Sequence, residues 1–195
     1  MKVENNYNGN TTVINNIYSG NAPGPQTDYV SDTILPDFED AVYRGKLVDG
    51  KPDGRGRLVW KNGVVYEGDF VKGVIEGQGT KFYSDGVYEG QFKNNMRNGK
   101  GIIRWTNGVV YEGDFVDDER TGKGICTWPN GDEYRGDFIN GMCTGTGVYK
   151  WSDGETWEGT FEDGVGISAR WTKRKNVFGK LKDRRLIFFP DIAAL

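Results

Sequence analysis

One aromatic residue returns along this chain at a nearly constant interval. Tyr43, Tyr66, Tyr88, Tyr111, Tyr134 and Trp157 stand 23, 22, 23, 23 and 23 residues apart. A glycine follows two positions later (Gly45, Gly68, Gly90, Gly113, Gly136, Gly159), and a bulky apolar residue four positions later (Leu47, Phe70, Phe92, Phe115, Phe138, Phe161). A register kept this long means that one supersecondary unit has been copied about six times. Such an array buries apolar surface between neighbouring copies and offers partners a surface to bind along, not an enclosed catalytic pocket.

The rest of each copy is equally regular. A Gly-x-Gly pair recurs at Gly54/Gly56, Gly77/Gly79, Gly99/Gly101, Gly122/Gly124 and Gly145/Gly147. A second aromatic follows at Trp60, Tyr83, Trp105, Trp128 and Trp151, and then Asn-Gly or Asp-Gly, as in Asn62-Gly63 and Asp85-Gly86. Tyr111 to Phe115 and Gly124 to Trp128 alternate with period two, which indicates strands. Asn-Gly between such runs predicts a tight type I′ hairpin turn. The other connection, Val116 to Thr121, reads as longer and polar. The expected architecture is an antiparallel meander of eleven or twelve strands.

Alternation also sorts the faces. Ring, glycine and Phe share one side; the other shows Glu67/Asp69, Glu89/Gln91, Glu112/Asp114, Arg135/Asp137 and Glu158/Thr160. Glycine inside a strand weakens it unless something must approach the backbone closely. The expected reason is that rings lie flat over bare backbone. The repeated Tyr-x-Gly-x-Phe, the following Gly-x-Gly and the period of about 23 resemble MORN repeats (membrane occupation and recognition nexus) over residues 41–164. The resemblance implies an all-β fold, an elongated single sheet of hairpins, used mainly to hold protein partners and less securely tied to membranes and phosphoinositides.

The ends differ from the array. Residues 1–20 are asparagine-rich, with a β-branched run at Thr11-Thr12-Val13-Ile14, and offer either a disordered leader or a strand for self-association. Residues 21–40 read as a linker, from Asn21-Ala22-Pro23-Gly24-Pro25. Residues 165–195 read as a degenerate repeat and basic cap that closes the array's open end. Within it, Leu186-Ile187-Phe188-Phe189 is an apolar, β-prone run guarded by Arg184, Arg185 and Pro190.

Charge is unevenly shared. The whole chain carries −3, whereas residues 170–195 carry +6, leaving −9 for the rest. Nucleic acid is therefore an unlikely partner of the array. The basic side chains Lys173, Arg174, Lys175, Lys180, Lys182, Arg184 and Arg185 are candidates for contact with anionic lipid or an acidic partner. With no histidine and only Cys126 and Cys143, metal-ligand and disulfide frameworks are not expected. Cys126 reads as a buried small hydrophobe and Cys143 as a loop residue. No secretory signal or apolar run of about 20 residues is seen, so a cytoplasmic location is the expectation. Glu67, Glu89 and Glu112 form an acidic column that reads as a solvated face pairing with Lys100 and Lys123. Gly99-Lys100-Gly101 and Gly122-Lys123-Gly124 lack the spacing of a phosphate loop.

These readings point to a non-enzymatic scaffold without cofactor or metal. Its partner groove is assigned to Tyr83, Tyr88, Phe92, Trp105, Tyr111, Phe115, Trp128, Tyr134 and Trp151, because exposed contiguous rings mark interfaces. The partner is a protein or peptide; self-association through residues 1–20 is a further expectation. The rival expectations are a membrane-surface module working through the basic tail, and an accessory subunit or substrate of a separately encoded enzyme.

Overall fold

The computed structural model describes residues 32–172. It comprises two compact units, meeting in sequence at Asn95 and Met96. The first contains β1 (Asp32–Leu35), a 3-10 turn (Pro36–Phe38), β2 (Ala41–Val48), β3 (Lys51–Val59), β4 (Val65–Val71), β5 (Val74–Phe82) and β6 (Gly86–Lys93). The second contains β7 (Met96–Trp105), β8 (Val110–Val116), β9 (Glu119–Thr127), β10 (Glu133–Ile139), β11 (Met142–Lys150), β12 (Thr156–Glu162) and β13 (Val165–Thr172). Within each unit every strand pairs antiparallel with the next in sequence, as expected of an all-β meander. Thirteen strands among the described residues exceed the expected number. One of the additions, β1, lies in the stretch read as linker.

The two kinds of turn exchange the roles that the sequence suggested. The connections read as longer are the two-residue hairpins: Lys72-Gly73 joins paired Val71 and Val74, and Asp117-Asp118 joins paired Val116 and Glu119. Both central residues have positive φ, 49° and 89° in the first case and 48° and 70° in the second, as a type I′ turn requires. The Asn-Gly sites form a wider turn. Gly63 N–H donates to the Trp60 carbonyl and Trp60 N–H to the Val64 carbonyl, so three residues separate the bonded pair. Only Gly63, at φ 87°, is left-handed there, while the Asn62 side chain accepts from Val64 N–H. Asn-Gly signals a hairpin in either geometry; the side-chain bond to the backbone two residues on selects the wider one.

Rings do lie on glycine. A Cβ added at Gly113 would stand 2.4 Å from the Tyr111 hydroxyl and 2.7 Å from the Gly124 Cα, and one at Gly124 would stand 2.5 Å from the same ring. Gly113 and Gly124 face each other across β8 and β9, so one tyrosine covers two strands. Tyr43, Tyr66 and Tyr134 repeat the arrangement over Gly45/Gly56, Gly68/Gly79 and Gly136/Gly147. Each flat ring ends on a backbone acceptor. The hydroxyls of Tyr43, Tyr66, Tyr88, Tyr111 and Tyr134 donate to the carbonyls of Lys46, Asp69, Gln91, Asp114 and Asp137 at 2.9–3.0 Å.

The phenylalanines stand against these rings edge to face. In the second unit Tyr111 meets Phe115 at 5.3 Å and Phe138 at 4.9 Å, and Tyr134 meets Phe138 at 5.3 Å and Phe161 at 4.8 Å, with interplanar angles of 79–89°. In the first, Tyr66 likewise meets Phe70 and Phe92. Each such pair contributes about 0.5–1.5 kcal/mol beyond the area it buries. Repeats are thus zipped to one another through alternating tyrosine and phenylalanine, and the five tyrosines are wholly buried.

The first glycine of each Gly-x-Gly has a different task. Gly54, Gly77, Gly99, Gly122 and Gly145 have φ between 60° and 115°. Around Gly145, β10 and β11 slip register: Gly136 faces Gly147, yet Phe138 faces Cys143, so the later strand carries extra residues in a bulge. An aspartate facing the bulge accepts its freed amide. Asp69, Asp114 and Asp137 accept from Gln78, Lys123 and Thr146 N–H at 2.9, 3.2 and 2.9 Å. These carboxylates also take the cations that the acidic column was expected to hold. Lys100 pairs with Asp114 at 2.6 Å and Lys123 with Asp137, while Glu67 pairs with Arg57 at 3.1 Å. The aspartate is nearer because it faces the lysine directly across the strands, Asp114 opposite Lys100 and Asp137 opposite Lys123, whereas Glu112 faces Ile102.

Candidate functional site

The second aromatic row sits at the wide turns, where each ring closes the backbone bonds of a turn. Trp60 occupies that place in the first unit, and Trp105, Trp128 and Trp151 in the second. Tyr83 takes the same part in a shorter turn, donating its N–H to the Gly86 carbonyl at 2.8 Å. Among the described residues no Gly–Gly pair is seen beneath these rings as it is beneath the strand tyrosines, and their place is at the turns. Trp60, Tyr83, Trp128 and Trp151 are half-buried, and Trp105 is 8% exposed.

This divides the nine residues expected to line a groove. Tyr88, Tyr111 and Tyr134 are fully buried, and Phe92 and Phe115 are 4% and 1% exposed. Those five are the zipper itself and present nothing to a partner. Trp105 is nearly covered, which leaves Tyr83, Trp128 and Trp151 as surface. Trp60 belongs with them; its place in the repeat was the signal for it. The groove expectation erred because period two places a ring on a face without saying whether it stands or lies. The basic residues Lys173 to Arg185 and the self-association segment 1–20 lie outside the described residues.

Cations already lie on this row. Lys81 Nζ is 5.1 Å from the Trp60 ring and 5.3 Å from the Tyr83 ring. In the second unit the Arg120 guanidinium lies 5.4 Å from Trp105 and 5.7 Å from Tyr111. Arg120 is 7% exposed, and burial lowers its pKa. Ring faces attract cations through their quadrupole, most strongly where water is excluded.

At Trp128 and Trp151 the repeat departs from its own pattern. Copies that carry Leu58, Lys81, Ile103 and Cys126 give way to Tyr149, and those with Ala41, Val64, Gly86 and Val109 give way to Asp132. The two departures meet: Tyr149 hydroxyl donates to Asp132 Oδ2 at 2.6 Å in a buried bond. Asp132 also accepts from Ser152 N–H at 2.8 Å and Asn130 Nδ2 at 3.0 Å. Burial works to raise the Asp132 pKa, but these donors outweigh it and hold the carboxyl below its ordinary range. The buried Tyr149 ring lies 5.6 Å from Trp128 and 4.9 Å from Trp151, so it ties the two half-exposed tryptophans together with the buried Asp132 carboxylate behind them.

The cysteines take no part in the surface. Cys143 lies in β11, not in a loop, and both thiols are free and fully buried. Burial pushes the Cys126 thiol up to about 12 and raises that of Cys143 further. No cluster of potential metal ligands occurs among the described residues.

Comparison with known proteins agrees with the repeat. The MORN-repeat family model matches residues 43–65, 66–87, 88–110, 111–133 and 134–156. Rat alsin is 45% identical over 51 residues, and human alsin 46% identical over 44, covering 26% and 23% of this chain but only 3% of either alsin. Among solved structures, the Drosophila melanogaster SAS-4 (dCPAP) TCP domain, in complex with a proline-rich motif of Ana2 (dSTIL), aligns over 80% of this chain and 99% of its own. That alignment has a TM-score of 0.45 and 14% identity, a likeness too slight to build on. Five successive family matches, on a sheet whose glycines and rings explain each repeated position, establish that this chain belongs to the MORN-repeat family.

Proposed function

We propose that the protein is a non-enzymatic scaffold that holds a protein or peptide partner on the half-exposed rings at its turns, Trp60 and Tyr83 in one unit and Trp128 and Trp151 in the other. The observation that carries this reading is the contrast in burial. The strand tyrosines and phenylalanines are consumed by the zipper, while Trp60, Tyr83, Trp128 and Trp151 keep exposed ring surface at corresponding places. Trp and Tyr are the side chains most favoured as interface anchors. MORN repeats are generally protein- or membrane-binding, which supports the class of function. A cytoplasmic place of action belongs to the proposal, and two free thiols suit a reducing compartment.

The test compares partners captured by the intact protein with those captured by Trp128→Ala/Trp151→Ala and Trp60→Ala/Tyr83→Ala variants, crosslinked and identified by mass spectrometry. Loss of a partner from a variant whose circular dichroism is unchanged supports the reading. Retention of every partner by both folded variants overturns it.

A further inference from the structure

We propose that Trp128 and Trp151, held together by the buried Tyr149, form a platform that seats cationic side chains, and that its occupant is this chain's own basic segment, residues 173–185. The inference rests on the same ring row as the proposed function and adds a resident competitor for it.

The first ground is where the chain leaves the sheet. Thr172, the last residue of β13, faces Thr156, the first of β12, which follows directly on the turn carrying Trp151. The segment therefore departs from the ring-bearing edge. Strands lie about 4.8 Å apart, so Trp128 is roughly 10 Å beyond the Trp151 turn. An extended chain covers about 3.3 Å per residue, and the first few residues already span that distance.

Charge supplies the second ground. Residues 173–185 contain Lys173, Arg174, Lys175, Lys180, Lys182, Arg184 and Arg185 against Asp183 alone. The two turns of the platform carry Asp132, Glu133, Asp153 and Glu155, with Lys150 the one basic residue over 128–133 and 150–156. The turn at Trp105, from Thr106 to Val109, carries no charge and that at Tyr83 carries Asp85 alone, so the acidity is greatest at the two turns of the platform. Asp153 and Glu155 are exposed, whereas Asp132 is held in place by its three donors.

The third ground is the row's own behaviour. Lys81 lies over Trp60 and Tyr83, and Arg120 over Trp105, so rings at this place in the repeat already receive ammonium and guanidinium groups. An arriving lysine or arginine meets two half-exposed tryptophans beside the exposed Asp153 and Glu155, which is a setting that stabilises a cation. A partner using the ring row must then displace the segment or bring a stronger cation.

Carbodiimide crosslinking of the full-length protein, which joins lysine to carboxylate, tests this. Lys173, Lys175, Lys180 or Lys182 should couple to Asp153 or Glu155 at least tenfold more than to Glu89, Glu112, Glu133 and Glu158 on the other face. The yield should be unchanged by dilution, should stay within one chain in a mixture of isotope-labelled and unlabelled protein, and should fall at about 1 M salt, where screening acts over about 3 Å. Crosslinks spread evenly over the acids, or formed only between chains, overturn the inference. A second measurement avoids altering the platform. In Lys173→Ala/Lys175→Ala/Lys180→Ala/Lys182→Ala, amides of Ser152 to Glu155 should exchange at least threefold faster, and unchanged exchange overturns the inference. Either failure leaves partner capture by the ring row intact, whereas loss of the proposed function would appear in the tryptophan variants instead.

Discussion

Two rows of aromatic residues run through this protein, one per repeat each, and they have opposite fates. The strand row (Tyr43, Tyr66, Tyr88, Tyr111, Tyr134) is fully buried, and the turn row keeps four half-exposed rings. The rows are equally periodic in sequence, so periodicity does not separate them. What separates them is the floor. Tyrosines two residues before glycine lie down across two bare strands, reach a carbonyl and are walled in by phenylalanines. Among the described residues the turn rings show no such floor, and their place is at the turns. A repeat thus builds its core and its docking surface from the same residue types, divided by glycine placement.

That division can be broken most severely at the glycine floor. Gly113→Ala places a methyl 2.4 Å from the Tyr111 hydroxyl and 2.7 Å from backbone, which cannot give way cheaply. The expected loss is about 3 kcal/mol or more, at the upper end of overpacking costs, read as a lower denaturation midpoint. Gly63→Ala is the control. Nothing lies within 4 Å of the added methyl, and only the φ of 87° opposes it, for a loss of about 1–2 kcal/mol. Equal losses at the two sites would remove the floor as the distinguishing feature.

Removing one tyrosine hydroxyl is gentler. Tyr111→Phe keeps the ring on its glycines and deletes the bond to the Asp114 carbonyl, at an expected cost of about 1 kcal/mol in urea denaturation. Trp128→Phe should cost less, because its ring is half-exposed, yet should weaken partner capture where Tyr111→Phe does not. A strand-row variant that impaired capture while leaving stability unchanged would blur the comparison.

The carboxylates sharpen it through pH. Pairing with Lys123 lowers the Asp137 pKa, helped by hydrogen bonds from Thr146 and opposed by burial; Asp132 is also lowered, its donors outweighing burial. A depressed pKa contributes stability above the unfolded value of about 3.9 and loses it as pH falls through the folded value. The denaturation midpoint should therefore fall on acidification below about pH 4. In Asp137→Asn the fall should be shallower; an unchanged slope would show that the bulge carboxylate adds nothing ionic. The smallest expected effect is chemical: neither cysteine should react with a thiol reagent at about pH 8 until the protein unfolds, since Cys126 is buried and its thiol pushed up to about 12.

Much of this was legible beforehand. The glycine spacing foretold flat rings, and alternation foretold the strands. Other features obeyed signals that sequence leaves ambiguous. Asn62-Gly63 suits two hairpin turns, and the choice rests on the Asn62 side chain reaching Val64 N–H. Asp114 looked like one more surface acid, since a bulge opposite it is visible only once Gly122 is seen at φ 60°. Cys143 reads as a loop residue only if the turn before it is long, whereas Asn140-Gly141 alone joins the paired Ile139 and Met142. The groove list was too broad for a related reason: Tyr134 and Trp128 are both rings on a repeat, and only packing distinguishes a lying ring from an edge ring.

The sequence alone determined the repeat, its strands and the need for glycine beneath an aromatic, because those follow from local sterics and side-chain alternation. Tertiary structure alone decided which rings were spent on the zipper and which stayed at the edge. It also decided that Asp132 and Tyr149, seventeen residues apart, would meet in one buried bond. Both outcomes depend on contacts across strands, and a contact between strands comes into being only when the sheet has assembled.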